Sequence, residues 1–293
     1  MEVSIEPQDS CVSLSQSSQL QGRLKNVFSK PLYLGASITA ETCLLPSQFF
    51  RAYWLVDLAL WGIHDPRHYF FNTYAYGKNP GKILVHHFNK LSSPIDLSVY
   101  FTNSNEHLGS FKIKKLLEDN SIENSIFNEA TAIIGLDLFY WDAIWNTCGY
   151  RKDGIYVEKQ IKDLIERSFH SQKLLILGNV PHDKAEYIKI DSETLGIDGL
   201  WYKANQYCVN SINKALEENC TLKKNCVLFD FKTFVKNLQN GQSMTFKGQS
   251  YSLYDLRPDG VHLSVIGSEL IGRHMIETIE RDFKFLQCPS SSL

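Results

Sequence analysis

Three side chains in this sequence could act as one catalytic unit. Ser37 stands in Gly35-Ala36-Ser37, directly after the apolar run Pro31-Leu32-Tyr33-Leu34, and Asp259 and His262 share the segment Asp259-Gly260-Val261-His262. A serine hydroxyl is a poor nucleophile until a base takes its proton. A histidine can be that base, and a carboxylate on its other ring nitrogen fixes the tautomer and steadies the imidazolium. The spacing from Asp259 to His262 lets one loop present both groups. The chain order Ser, Asp, His is one of several that support this geometry. Each residue also has an ordinary reading on its own. Ser37 suits a helix cap, Asp259 a turn after Pro258, and His262 a loop histidine with satisfied partners.

Other polar residues follow apolar runs. They include Asn72 and Gly77 in Asn72-Thr73-Tyr74-Ala75-Tyr76-Gly77, Asp137 in Gly135-Leu136-Asp137, and Asn179 in Gly178-Asn179-Val180-Pro181. The backbone N–H groups of Ser37 and Gly77 could hold a developing oxyanion, or Gly77 could be a turn glycine. Asn72 either lines a site or satisfies backbone at a strand end. Asp137 either faces the site or caps a helix running through Trp145. Phe139, Tyr140, Trp141 and Trp145 fit either core packing or an apolar acyl pocket. His64 and His68 flank a proline, and His86 and His87 would alternate faces on a strand, so neither pair suits one metal ion.

Short apolar runs alternate with helical patterns. Strands are predicted at Pro31–Leu34, Tyr69–Thr73, Ala130–Ile134, Lys173–Leu177 and Cys226–Phe229. Helices are predicted from near Pro46, over Leu108–Leu117, and over about 154–169, 200–217 and 264–283. Residues 244–253 read as a small hairpin about Lys247-Gly248. Between Lys82 and Phe101, ILVHHF and IDLSVYF read as two strands, either a hairpin or an extension of the sheet. Strand–helix alternation means parallel strands with helices on both faces. In open sheets of this kind the site lies at the carboxyl ends of the strands.

The blocks Gly35-Ala36-Ser37, Asn72 to Gly77 and Asp259-Gly260-Val261-His262, in this order over residues 30–283, resemble an SGNH (GDSL-type) hydrolase. The resemblance implies a three-layer α/β/α sandwich around a mostly parallel five-stranded sheet, with no cofactor and no metal. It implies a carboxylic ester hydrolase with Ser37 as nucleophile, His262 as base and then acid, and Asp259 as its orienter. It further implies an oxyanion hole of the Ser37 and Gly77 N–H groups plus an asparagine side chain from the third block. This sequence departs from the pattern twice. Ala36 replaces an aspartate, and Gly135-Leu136-Asp137 lacks the asparagine. An ionised Asp137 would repel the oxyanion; a protonated one, Asn179 or Asn103 could donate instead, or two donors could serve. Losing one donor costs on the order of 100- to 1000-fold in rate. An acyltransferase using the same acyl-enzyme and a non-catalytic binding or scaffold protein on this fold are the rival readings.

The chain has 293 residues, 43% of them hydrophobic, and a net charge of −2 from 30 basic and 32 acidic residues. Near balance argues against broad electrostatic capture of nucleic acid, and the expected partner is a small ester or lipid-like molecule. Residues 1–24 read as a loose extension, 25–286 as one domain with 82–107 as an insertion near the site, and 287–293 as a tail. No signal peptide or transmembrane run is visible, so the expected place is the cytoplasm, without integral membrane association. The seven cysteines form no CxxC pair and are expected to be mostly reduced thiols.

Overall fold

The computed structural model describes residues 14–35, 42–44, 74–76, 80–97, 108–144, 148, 156–181, 206–239, 241–246, 248–256 and 263–285. In chain order the elements are α1 (Leu14–Val27), β1 (Pro31–Tyr33), β2 (Thr42–Leu44), β3 (Tyr74–Tyr76), α2 (Pro80–Phe88) and β4 (Ile95–Asp96). Next come α3 (Gly109–Leu117), α4 (Ile122–Glu129), β5 (Ala132–Gly135), α5 (Tyr140–Ile144), α6 (Val157–His170) and β6 (Leu174–Gly178). The chain continues with α7 (Gln206–Cys220), β7 (Cys226–Phe229), α8 (Phe231–Gln239), β8 (Met244–Phe246), β9 (Gln249–Tyr251), α9 (Leu253–Leu256) and α10 (Val265–Phe285).

Five strands form the central sheet in the order β4-β1-β5-β6-β7, and every neighbouring pair is parallel. Side chains of a strand alternate between faces, and here both faces are apolar. Leu32, Leu34, Ile133, Leu175 and Leu177 pack with Ile113, Leu116, Phe127, Ile161, Leu164, Val209 and Ile212 from α3, α4, α6 and α7. Tyr33, Ala132, Ile134, Leu174, Ile176, Val227 and Phe229 pack with Leu24, Leu84, Val235, Ile271 and Met275 from α1, α2, α8 and α10. Two cores on opposite faces of one sheet make a three-layer α/β/α sandwich, as expected. Burying each of these large apolar side chains contributes about 1.5–3 kcal/mol.

The direction of the helices follows from their ends. Asn89, just past α2, donates to Lys25 O and Phe28 O, and Ser93 N donates to Ser29 O. Residues 25–29 lead into β1, so α2 ends at the amino edge of the sheet and starts at the carboxyl edge. α10 packs along α2, with Ile83 pressed on Gly272 and His87 Nε2 3.3 Å from Glu280 Oε1. These pairs advance together, so α10 also starts at the carboxyl edge.

Several expectations are corrected. IDLSVYF does supply a strand that extends the sheet, Ile95–Asp96 beside β1. The strand expected at Tyr69–Thr73 lies outside the described residues, and Tyr74–Tyr76 pairs antiparallel with Thr42–Leu44 in a separate ribbon. ILVHHF lies in a helix, begun by Pro80, whose missing N–H costs nothing in a first turn. His86 and His87 therefore sit on a helix and not on a strand. Within the segment 82–107, α2 and β4 supply a crossover helix and the edge strand of the central sheet, and 98–107 lie outside the described residues. Residues 14–27 form a helix, and its Leu24 is buried, although 14–24 fall in the segment expected to be loose. The β8–β9 hairpin forms within residues 244–253, as expected.

Four cysteines expected as free thiols are paired. Cys148 joins Cys208 and Cys220 joins Cys226, which staples α7 near its start and at its last residue. Such bonds persist in oxidising surroundings, which corrects the reduced state expected of these thiols. Among the described residues, no helix is long and apolar enough to cross a membrane. Alkylation of the unfolded, unreduced chain should leave at least these four cysteines unmodified by intact mass, and prior reduction should expose them. Replacing Cys208 with serine should lower stability by about 3 kcal/mol in urea unfolding.

Candidate active site

Every described strand of the central sheet ends in the same place, and the turns that leave it define the candidate site. Along the chain, the sheet grows from β1 to β4 on one side and then to β5, β6 and β7 on the other. The order reverses between β1 and β5, and a crevice opens at such a switch point at the carboxyl edge. Gly35 leaves β1 there and Asp137 leaves β5 there. Leu34 N still donates to Ile134 O at 2.9 Å, so the two strands stay paired up to the point where they part.

The turn after β5 runs through Leu136 to Phe139, with Tyr140 N donating to Asp137 O at 3.2 Å, and then enters α5. Asp137 is 6% exposed. With Phe139, Tyr140, Asn179, Pro181 and Phe231 it lines a cavity of about 10 Å³, room for one water. Phe139 and Tyr140 belong chiefly to the core on the α3–α7 face. Trp141 makes an edge contact with the Tyr140 ring.

Asn179 lines this cavity but its amide is engaged. Nδ2 donates to Asp230 Oδ1 at 2.8 Å, and Oδ1 accepts from Lys232 N at 2.6 Å. Asp230 in turn caps α8 by accepting from Thr233 N at 3.0 Å, a carboxylate at a helix start. Burial pushes the Asp230 carboxyl up, but the hydrogen bonds from Asn179 and Thr233 and the charge of Lys232 outweigh it and hold it below 3.8. One residue on, Val180 is gripped by Asn213 of α7: Val180 N donates to Asn213 Oδ1 and Asn213 Nδ2 donates to Val180 O, both at 2.8 Å. The side chain satisfies both polar groups of a buried peptide as a strand would.

Between β1 and β5 stands the start of α3. Asp142, fully buried in α5, accepts from Ser110 N at 3.2 Å and also from Ser110 Oγ. Its carboxylate thus satisfies N–H at the start of α3, the end favoured by negative charge. Gly109 packs so closely that a Cβ there would lie 2.1 Å from Leu138 O. One turn along, the Lys112 ammonium donates to Gly35 O.

Ser37, Asn72, Gly77, Asn103, Trp145, Asp259 and His262 lie outside the described residues. Their described neighbours are anchored. Ser264 caps α10, with its Oγ donating to Asp255 O at 2.6 Å and accepting from Gly267 N at 3.0 Å. Leu263 is buried in the core beside α10. The ribbon register sets Tyr76 beside Thr42, so Gly77 follows the residue paired five positions after Ser37. Among the described residues, no cluster of His, Cys, Asp or Glu could hold a metal ion.

Sequence reasoning missed Lys112, Ser110 and Asn213. For Lys112 the signal was present. Leu108, Lys112 and Leu116 recur every fourth residue, and a lysine inside an apolar stripe needs a buried partner.

No protein-family model matches the chain, and no curated protein matches its sequence. Five chains of solved structures overlap with it, among them these three. The psychrotrophic esterase EstA from Pseudoalteromonas sp. is 13% identical over 87% of this chain and 99% of its own, with a TM-score of 0.42. The acetyl xylan esterase AlAXEase is 17% identical over 85% of this chain and 99% of its own, with a TM-score of 0.40. A protein described as a GDSL-like lipase, from Parabacteroides merdae, is 13% identical over 86% of this chain and 96% of its own, with a TM-score of 0.43. Superpositions this loose decide nothing about the chemistry of this chain.

The depressed Asp230 carboxyl makes a pH prediction. A folded value below the unfolded 3.8 stabilises the fold above that value, and the gain is lost as pH falls through the folded value. Urea unfolding of wild type and Asp230→Asn should differ by a constant margin from pH 7 to about 5, and the margin should shrink below pH 3.8.

Proposed function

We propose that the protein is a serine ester hydrolase of the SGNH type that works through an acyl-enzyme on Ser37. The observation that carries this reading is the position of β1. It lies at the switch point of the parallel sheet, and the sequence that follows Gly35 at that crevice is Ala36-Ser37. Further support comes from α10, which starts at the same edge directly after Asp259-Gly260-Val261-His262, and from the ribbon register that ties the chain before Gly77 to the chain after Ser37.

In this mechanism His262 takes the Ser37 Oγ proton as Oγ attacks the ester carbonyl. The carbonyl becomes a tetrahedral oxyanion held by the N–H groups of Ser37 and Gly77. His262 returns the proton to the departing alkoxide, and the alcohol leaves an acyl-serine. Water, activated by His262, then attacks the acyl carbon and frees Ser37 with release of the acid. Asp259 holds the imidazole in the tautomer that both steps require. Asp137, in the turn after β5, takes the place at which the resemblance implies an amide donor to the oxyanion. The substrate in this reading is a small-molecule ester.

Hydrolysis of p-nitrophenyl acetate should fall at least about a thousandfold in Ser37→Ala, and the same variant should take no fluorophosphonate label. Equal rates in the two folded proteins would remove Ser37 as nucleophile and favour a binding role. Asp137→Asn supplies an N–H donor where the carboxylate stands, and kcat is expected to rise about tenfold or more with little change in KM.

A further inference from the structure

A second charged group reaches the crevice, and nothing in the hydrolytic scheme above uses it. Lys112 is 8% exposed, on the buried face of α3 between Leu108 and Leu116. An ammonium there has to be hydrogen-bonded, because removing it from water costs several kcal/mol. A leucine or methionine at this position would complete the stripe without that cost. The ammonium instead donates to the carbonyl of Gly35, the peptide that leads out of β1 beyond its last ladder bond, two residues before Ser37. α3 is itself fixed from the other side of the crevice. Ser110 donates through N and Oγ to the buried Asp142 carboxylate, and Gly109 lies against Leu138 O with no room for a Cβ. One connected path therefore runs from the turn that carries Asp137, through the first turn of α3, to the peptide before Ala36-Ser37.

We propose that Lys112 is a positioning residue that holds the Gly35 peptide, and through it the chain that continues to Ser37, in register with the turn after β5. This rests on Ser37 being the nucleophile. A backbone peptide leaving a strand can rotate, and a charge-assisted hydrogen bond from a buried donor restricts that rotation more strongly than a neutral one. The Ser37 N–H and Oγ lie immediately downstream of the restrained peptide. Displacing reacting groups by about 1 Å costs up to about a hundredfold in rate, so the effect should appear in the chemical step and not in substrate binding.

The test uses the full chain, with p-nitrophenyl acetate turnover and the rate of fluorophosphonate labelling measured in parallel. Lys112→Met keeps the length and apolar stem but loses the donor. It should lower kcat and the labelling rate together by about tenfold to a hundredfold, with KM within about twofold and a circular dichroism spectrum like that of wild type. Lys112→Arg keeps the charge and the donor and should recover most of the labelling rate, which a purely space-filling role does not predict. If the Met variant does not fold, Lys112→Gln, which is uncharged but can still donate, should label more slowly than the Arg variant. Wild-type labelling rates in the folded Met or Gln variant would overturn the proposal alone. A wild type that takes no label, or a Ser37→Ala variant that labels normally, would overturn the Ser37 assignment and this proposal with it.

Discussion

The central strands are buried on both faces, and the placement of every polar group described here follows from that constraint. All residues of β5 and β6 are buried, with alternate side chains committed to two separate apolar cores. A side chain that must meet water or substrate has no place on such a strand without leaving a charge or a hydrogen-bonding group in hydrocarbon. Chemistry is thereby confined to the residues at which the strands stop. The reversal of strand order beside β1 then selects one point along that edge, because only there do the chains leaving two adjacent strands turn to opposite sides and leave a crevice.

Turns at that edge have no ladder to satisfy their peptides, and side chains take over the task. Asn213 pairs with both polar groups of Val180. Asn179 and Asp230 tie the end of β6 to the start of α8, and Asp142 and Lys112 brace the two ends of the first turn of α3. α7 carries Asn213 between its two disulfides, so the helix that grips the loop after β6 is covalently held near both ends. The amino edge is closed in a similar way. The Lys173 ammonium donates to Asn128 O and Ala130 O, and the Asn225 amide donates to Ser168 O and Lys173 O. The two edges differ in what they enclose. At the amino edge the clamps tie backbone carbonyls together, whereas at the carboxyl edge two of the residues they hold, Asn179 and Val180, also line the cavity beside Asp137.

Four of the five strands of the central sheet were legible from their apolar runs and flanking glycines, because a doubly buried strand has to be apolar throughout. Helices α3, α6, α7 and α10 were legible from their 3.6-residue stripes. Residues 80–88 were not. A run as short as ILV carries no period that separates strand from helix, and Ile83 against Gly272 and His87 against Glu280 are contacts between residues far apart in the chain. The strand at Ile95–Asp96 falls in IDLSVYF, which read as a strand; its place at the edge of the sheet beside β1 was left open, because pairing depends on docking and not on local pattern. α1 was hidden by serine- and glutamine-rich composition, although Leu24 and Phe28 reach the core.

The sequence by itself determined the residue types that chemistry could use, the parallel class of the sheet, and the order in which Gly35-Ala36-Ser37, Gly135-Leu136-Asp137 and Asp259 to His262 occur. These are local properties, set by spacing and by what must be apolar. Tertiary structure alone decided which strand lies beside β1, which cysteines pair, and which buried polar groups meet. Lys112 and Gly35 are 77 residues apart, and Ser110 and Asp142 are 32 apart. A hydrogen bond between such residues depends on where two independently formed elements dock, and docking is fixed by the complementary shape of faces that no local pattern encodes.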